Sequence, residues 1–316
     1  MEKDLSGAGE ARRGGKGWRA REAAFKEEMK EIWGGWGVSS EFGRLRDVLL
    51  HRPGPEIENI TDPNGVLWAE VMDPGKARAE HDALAEAYRA GGVQVHYVGN
   101  GPLDKPNLHF IRDLMLMTPE GAIVARPASV QRAGEEKFVA EALAGLGVPI
   151  LMTVHGNGIF EGADAVLAGP GLAFVAEGTR TNRAGAEQVE WALRQAGFSE
   201  VVRLHLPYKT VHLDGVLGLV DRDLVLVRAR ETPLSAVNVL RGRGFRILEV
   251  SDDDLYMPGN VVALEPGKLV MPAGNPVTKK RLEDSGCTVI EIDLKEIQKS
   301  GGAMHCMTGF LKRDEP

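Results

Sequence analysis

An α/β architecture built from one strand–helix–strand unit used five times is what this 316-residue sequence predicts. Short apolar strands recur along the chain, each followed by a stretch with apolar residues at i, i+3 and i+4 and then by a second apolar strand. Such a unit cannot bury its apolar face alone, so five of them must pack around a shared axis or stack in a line.

Residues 1–17 are charged and Gly-rich, and 18–33 (WRAREAAFKEEMKEIW) reads as an amphipathic helix ending at Gly34-Gly35. Residues 1–35 are therefore expected to form a tail or helix, suited to an oligomer contact, ahead of a single domain over 36–316. The leading strands of the five units are DVLLHR (47–52), GAIVAR (121–126), GLAFVAE (171–177), DLVLVRA (223–229) and GKLVMPA (267–273). The helical stretches after them are KARAEHDALAEAYRA, EEKFVAEALAGL, AGAEQVEWALRQA, PLSAVNVLRGR and VTKKRLEDS. The returning strands are VQVHYV, VPILMTV, EVVRLHL, FRILEV and CTVIEID, mostly introduced by a Gly of the kind that ends helices.

After each returning strand the chain enters a further apolar segment, which makes the repeat ββαβ. The residues heading these segments are Arg112-Asp113, Glu161 with Asp164, His212 with Asp214, Gly259-Asn260 and His305-Cys306. From Asp113 through Asp164, Asp214 and Asn260 to Cys306 the steps are 51, 50, 46 and 46 residues. If five units close around a pseudo-fivefold axis, equivalent positions converge at its centre, and residues far apart in sequence become neighbours.

Composition narrows the function. With 38 Lys and Arg against 45 Asp and Glu the net charge is −7, which gives no general attraction to nucleic acid or anionic lipid. No window approaches the apolar length of a membrane span, and no secretory signal is read at the N-terminus. Two cysteines are too few for a disulfide framework, so a reducing, cytoplasmic setting with a free thiol is expected. Taken alone, a free cysteine is ordinary core. Cys287, which begins an apolar strand, is read that way.

Cys306 is different because a Gly pair precedes it in GGAMHCMTGFLKRD. His212 and Asp214 in HLD share one face of an extended segment. A surface pair or a metal site would also fit that spacing, but few other His and Cys residues stand at ligand intervals, and neither metal nor cofactor is expected. Acidic residues such as Asp113, Glu161 and Asp164 at strand mouths usually cap turns.

Together, SEFGRLRDVLLHRPG, NLHFIRD, SVQRAGEE, FEGAD, GTRTN, HLD and GGAMHCMT followed by RD resemble the motifs of the arginine deiminase and amidinotransferase superfamily, in the same order, over nearly all of 36–315. That resemblance implies the pentein fold, a five-fold pseudosymmetric α/β propeller, and is nearest to a compact arginine deiminase. It makes Cys306 the nucleophile, His212 the general acid and base, and Asp113 and Asp214 the guanidinium clamps, with Glu161 pairing with His212. It gives Asn107, Arg132 and Arg180 to the substrate carboxylate. Ala163 and Gly309 depart from the usual deiminase pattern, and the chain is too short for the helical insertion of larger deiminases. Arginine dihydrolase and amidinotransferase activities therefore stand beside deimination.

This chemistry suits these residues. A guanidinium is planar, stays protonated and offers its donors as a fork, so carboxylates meet it. Its carbon is a poor electrophile, so the sulfur must attack as thiolate, favoured by the cation it attacks and by an imidazolium. The expected partner is a small guanidino compound, L-arginine first, and the chain is a candidate homo-oligomer. The competing reading is a propeller without catalysis, as in ribosome anti-association factors of similar fold, and the Cys306, His212, Asp113 and Asp214 set argues against it.

Overall fold

The computed structural model describes residues 9–99 and 103–316. Its first helix, α1 (Phe25–Ile32), is shorter than the expected 18–33. The side chain of Glu27 accepts from the Ala24 amide, which starts the helix there, and Arg21 is drawn to Glu28 instead of entering the helix. The end is as read: Gly35 donates to the Met29 carbonyl, and Gly34 and Gly35 both have positive φ.

Five modules follow. In the first, β1 (Leu45–Leu50) leads through α2 (Pro74–Ala90) to β2 (Gln94–Tyr97), parallel to β1. In the second, β3 (Met115–Thr118) pairs antiparallel with β4 (Gly121–Val124), and α3 (Glu136–Gly145) carries the chain to β5 (Ile150–Thr153), parallel to β4. The third repeats this with β6 (Ala165–Gly169), β7 (Leu172–Glu177), α4 (Arg183–Gln195) and β8 (Glu200–His205). The fourth uses β9 (Leu217–Asp221), β10 (Leu224–Val227), α5 (Leu234–Gly242) and β11 (Arg246–Glu249). The fifth uses β12 (Val262–Glu265), β13 (Lys268–Pro272), α6 (Pro276–Asp284) and β14 (Thr288–Ile292).

Two short helices, α7 (Lys295–Gln298) and α8 (Met304–Met307), lead into β15 (Gly309–Arg313), which returns to pair antiparallel with β1. The first sheet is thus built from both ends of the chain, and every described sheet has three strands. The five-fold ββαβ propeller expected from the repeat is what forms.

Burial explains the strand compositions. The inner strands β3, β6, β9, β12 and β15 are covered on both faces, which is why MLM, AVLAG and LGLV run continuously apolar instead of alternating. The outer strands β2, β11 and β14 are half-exposed and mix polar or charged with apolar residues, while β5 exposes Ile150 and Leu151. Each buried Val, Leu or Phe contributes roughly 1.5–3 kcal/mol. The loops entering the five inner strands carry the unusual residues singled out in the sequence.

Candidate active site

Cys306 lies on α8, at the entry to β15, with 9 % of its surface exposed and its thiol free. Gly302 allows the preceding turn to close in: a Cβ there would lie 2.5 Å from Phe110 Cε1. The sulfur accepts from Asn260 Nδ2 at 3.1 Å, and the Asn260 Oδ1 accepts the His305 amide at 2.8 Å. That second bond fixes which way round the amide sits, so the nitrogen faces sulfur.

His212, in the loop before β9, sets its Nε2 2.7 Å from Glu161 Oε2, with Nδ1 3.7 Å from Asp113 Oδ1. Burial opposes charge on the ring, yet Asp113, the Glu161 hydrogen bond and Asp164 outweigh it and push its pKa up to about 10. His212 is therefore an imidazolium at neutral pH, fit to donate a proton. Glu161 is held well below the usual carboxylate range: its burial is overcome by the His212 bond, Arg132 and Arg180. Burial, then Asp214 and Asp113, push the Cys306 thiol well up. Cys306 is therefore held as a thiol.

Arg132 is buried and surrounded. Its guanidinium meets Asp113, Glu135 at 2.9 Å, and the carbonyls of Asn107 and Phe110. The Asn107 amide donates to the Val66 carbonyl and accepts from Trp68 Nε1, each at 2.8 Å. Arg180 is less buried and reaches Glu161 at 3.3 Å. Cys287 lies apart, packed with Leu282 and Leu269 in a separate apolar cluster.

Asp113 Oδ1 and Asp214 Oδ1 are buried and have no hydrogen-bond partner among the described protein groups. Buried carboxylate oxygens without donors are costly, and these two belong to the pair that the family resemblance marks as expected guanidinium clamps. They address two cavities that both include Cys306 and His212. One, of about 110 Å³, is lined by Asn107, Asp113, Arg132 and Arg180. The other, of about 190 Å³, is lined by Asp214, Asn260, Arg228 and Met257.

Asp113, Glu161 and His212 also bring three donor atoms within 4.8 Å of one another, a spacing able to surround a metal ion. The protonated ring and the Arg132 guanidinium already balance these carboxylates, and a further dication would have to displace them.

Several residues gained no role from the sequence. Asn260 and His305 stood in the repeating register; so did Asp164, which accepts from Thr181 Oγ1 at 2.6 Å and the Leu213 amide at 3.2 Å and thereby pins the loop carrying His212 and Asp214. Glu41 lies in the SEFGRLRDVLLHRPG motif, with no role assigned to it there. It pairs with Arg112 at 2.7 Å and approaches His305 Nε2 at 3.1 Å.

The model of the family "N,N dimethylarginine dimethylhydrolase, eukaryotic" matches residues 70–312. The N(G),N(G)-dimethylarginine dimethylaminohydrolase of Pseudomonas aeruginosa is 28 % identical over 239 residues, covering 75 % of this chain and 89 % of its own. The arginine deiminase of Rhodococcus erythropolis is 24 % identical over 395 aligned residues, covering 88 % of this chain and 97 % of its own. A solved structure of a cysteine-to-serine mutant of the Pseudomonas aeruginosa dimethylarginine dimethylaminohydrolase complexed with citrulline superposes with a TM-score of 0.72 at 23 % identity, covering 84 % of this chain and 98 % of that one. The chain belongs to the dimethylarginine dimethylhydrolase family, within the pentein-fold enzymes that act on the C–N bonds of guanidino groups.

Proposed function

We propose that the protein hydrolyses the guanidino group of L-arginine, giving citrulline and ammonia through a covalent intermediate on Cys306. The observation that carries this reading is the pair of orphaned oxygens, Asp113 Oδ1 and Asp214 Oδ1, reached from the two cavities that share the sulfur. Both need N–H donors. An unmethylated guanidinium offers five, on three nitrogens, and can supply both sides. Two methyl groups on one terminal nitrogen remove every donor from that side.

The bound cation offsets Asp113 and Asp214, the charges that hold the thiol up, and so favours its ionisation. The thiolate attacks the guanidinium carbon, the bond to one terminal nitrogen breaks, and the His212 imidazolium gives that nitrogen its proton as ammonia leaves. The remaining amidino group stays on sulfur. His212, now neutral, takes a proton from water as its oxygen attacks the same carbon. The C–S bond breaks, thiolate departs, the proton on the added oxygen passes to solvent, and citrulline is released. Arg180 and the second amide N–H of Asn107 receive the α-carboxylate, while Arg132, whose fork is spent on Asp113 and Glu135, holds Asp113 in place.

The family match favours asymmetric dimethylarginine as the second reading, with dimethylamine replacing ammonia. The test is turnover of each compound separately, with citrulline, ornithine, ammonia and dimethylamine measured. Losing hydrogen bonds to a charged oxygen costs about 1.5–3 kcal/mol, so kcat/KM should favour L-arginine at least about tenfold. The reverse ratio assigns the site to the methylated substrate. Ornithine as product assigns dihydrolysis, and guanidinoacetate formed on adding glycine assigns transfer.

A further inference from the structure

Behind Asp214, on the side away from the cavity, lies a line of alternating charges that the reaction above does not use. Asp214 Oδ2 is 2.7 Å from His305 Nδ1, His305 Nε2 is 3.1 Å from Glu41 Oε2, and Glu41 Oε1 is 2.7 Å from Arg112. All four side chains are buried, and the His305 ring meets the Phe310 ring edge-on at 5.2 Å between centroids. Arg112 and Arg313 lie over that same Phe310 ring, at 5.5 and 4.5 Å.

We infer that His305 is a positioning residue held as a fixed imidazolium, which aims Asp214 at the substrate and offsets its charge beside the Cys306 thiol. The stereochemistry demands the protonation state. Both ring nitrogens face ionised carboxylates, which only accept, so both must donate, and a neutral imidazole has one donor. Burial opposes that charge, while the bonds to Asp214 and Glu41 raise the ring pKa above its usual value. Arg112 and Arg313 sit beyond Glu41, and both lower the carboxyl pKa of Glu41.

Two consequences follow for the site. Asp214 spends Oδ2 on His305, so its rotamer is set and Oδ1 alone remains for a ligand. Asp214 also raises the thiol pKa, and a cation at hydrogen-bond distance behind it weakens that effect. His305 acts on Cys306 a second time through the chain, because its amide locks the Asn260 amide that donates to sulfur.

The inference rests on the proposed site, and its test needs no substrate. His305→Asn keeps a donor near the Nδ1 position and His305→Gln keeps one near Nε2, but neither carries charge. The pH dependence of iodoacetamide labelling, read on the Cys306 peptide by mass spectrometry, should move upward by about one unit in both variants, a tenfold loss of thiolate at a given pH. A packing role alone would lower the melting temperature and leave this midpoint in place. An unchanged midpoint in variants with native circular dichroism overturns the inference. If the variants do not fold, ¹⁵N spectra of the wild-type histidine rings decide: at neutral pH the His305 ring should be protonated on both nitrogens, and a His305 ring with one bare nitrogen overturns it. Arginine turnover can fail while both results hold, which separates this inference from the assignment of substrate.

Discussion

Cys306 rests as a thiol because burial disfavours its charge and two buried carboxylates add to that, and among the described residues its side-chain hydrogen bond comes from Asn260. A hydrogen bond to a charged group contributes about 1.5–3 kcal/mol, so Asn260→Ala should raise the pH midpoint of Cys306 alkylation and lower kcat roughly 10- to 100-fold. Stopped-time labelling and steady-state rates check both. The pH profile has a second limb. The His212 ring titrates at about 10 in the fold against 6.5 when unperturbed, so kcat/KM should fall on the alkaline side near pH 10 as the proton donor is lost. Because the folded pKa is the raised one, His212 contributes stability that is complete below about pH 6.5 and disappears as pH rises toward 10. Urea titrations at pH 6 and pH 10 should show the loss, and His212→Asn should flatten it.

The loops entering the inner strands pack backbone to backbone, and Gly162 shows how tightly. A Cβ on it would lie 2.2 Å from the Met115 carbonyl oxygen and 2.4 Å from that of Arg112. Neither belongs to a flexible side chain. Gly162→Ala should cost about 2–3 kcal/mol in denaturant unfolding and separate Glu161 from Asp113, with activity falling in step. Gly145→Ala, at the end of α3 with nothing within 4 Å, should be neutral or stabilising by up to about 1 kcal/mol. The same loops show what the sequence makes legible. Asp113, Asp164, His212, Asp214, Asn260 and Cys306 stood out because a repeat places equivalent residues at equal intervals. Periodicity located all five module helices, since each buries one face against its own sheet. It overran α1, where Glu27 caps Ala24 and stops the helix from starting earlier. The role of Glu41, which stands in the SEFGRLRDVLLHRPG motif, could not be read because its partners Arg112 and His305 lie 71 and 264 residues away. The crowding of Arg132 was equally hidden: a lone Arg heading a helix reads as exposed, and only the folded ring brings Asp113, Glu135 and Glu161 around it.

Closing five modules into a ring makes the last strand a structural requirement of the first. β15 supplies the antiparallel partner of β1 and the inner strand of that sheet, burying Phe310 and Leu311. The Arg313 guanidinium donates to the carbonyls of Gly43 at 2.6 Å and Ala263 at 2.8 Å, joining the two ends of the chain to the fifth module. At the other end, α1 buries Met29 alone, and residues 9–24 bury none. The termini should therefore respond oppositely to deletion. Removing residues 309–316 gives up the apolar burial of Phe310 and Leu311, about 1.5–3 kcal/mol each, together with an entire strand ladder and the Arg313 bonds. That total rivals the 5–15 kcal/mol by which domains are stable at all, so this variant should show no cooperative melting transition by calorimetry. Removing residues 1–24 should leave the melting temperature within about 2 °C and the Cys306 labelling rate unchanged. A C-terminally shortened protein that still melts cooperatively and still labels selectively at Cys306 would mean that the active site is held by the modules singly, and that ring closure does not organise it.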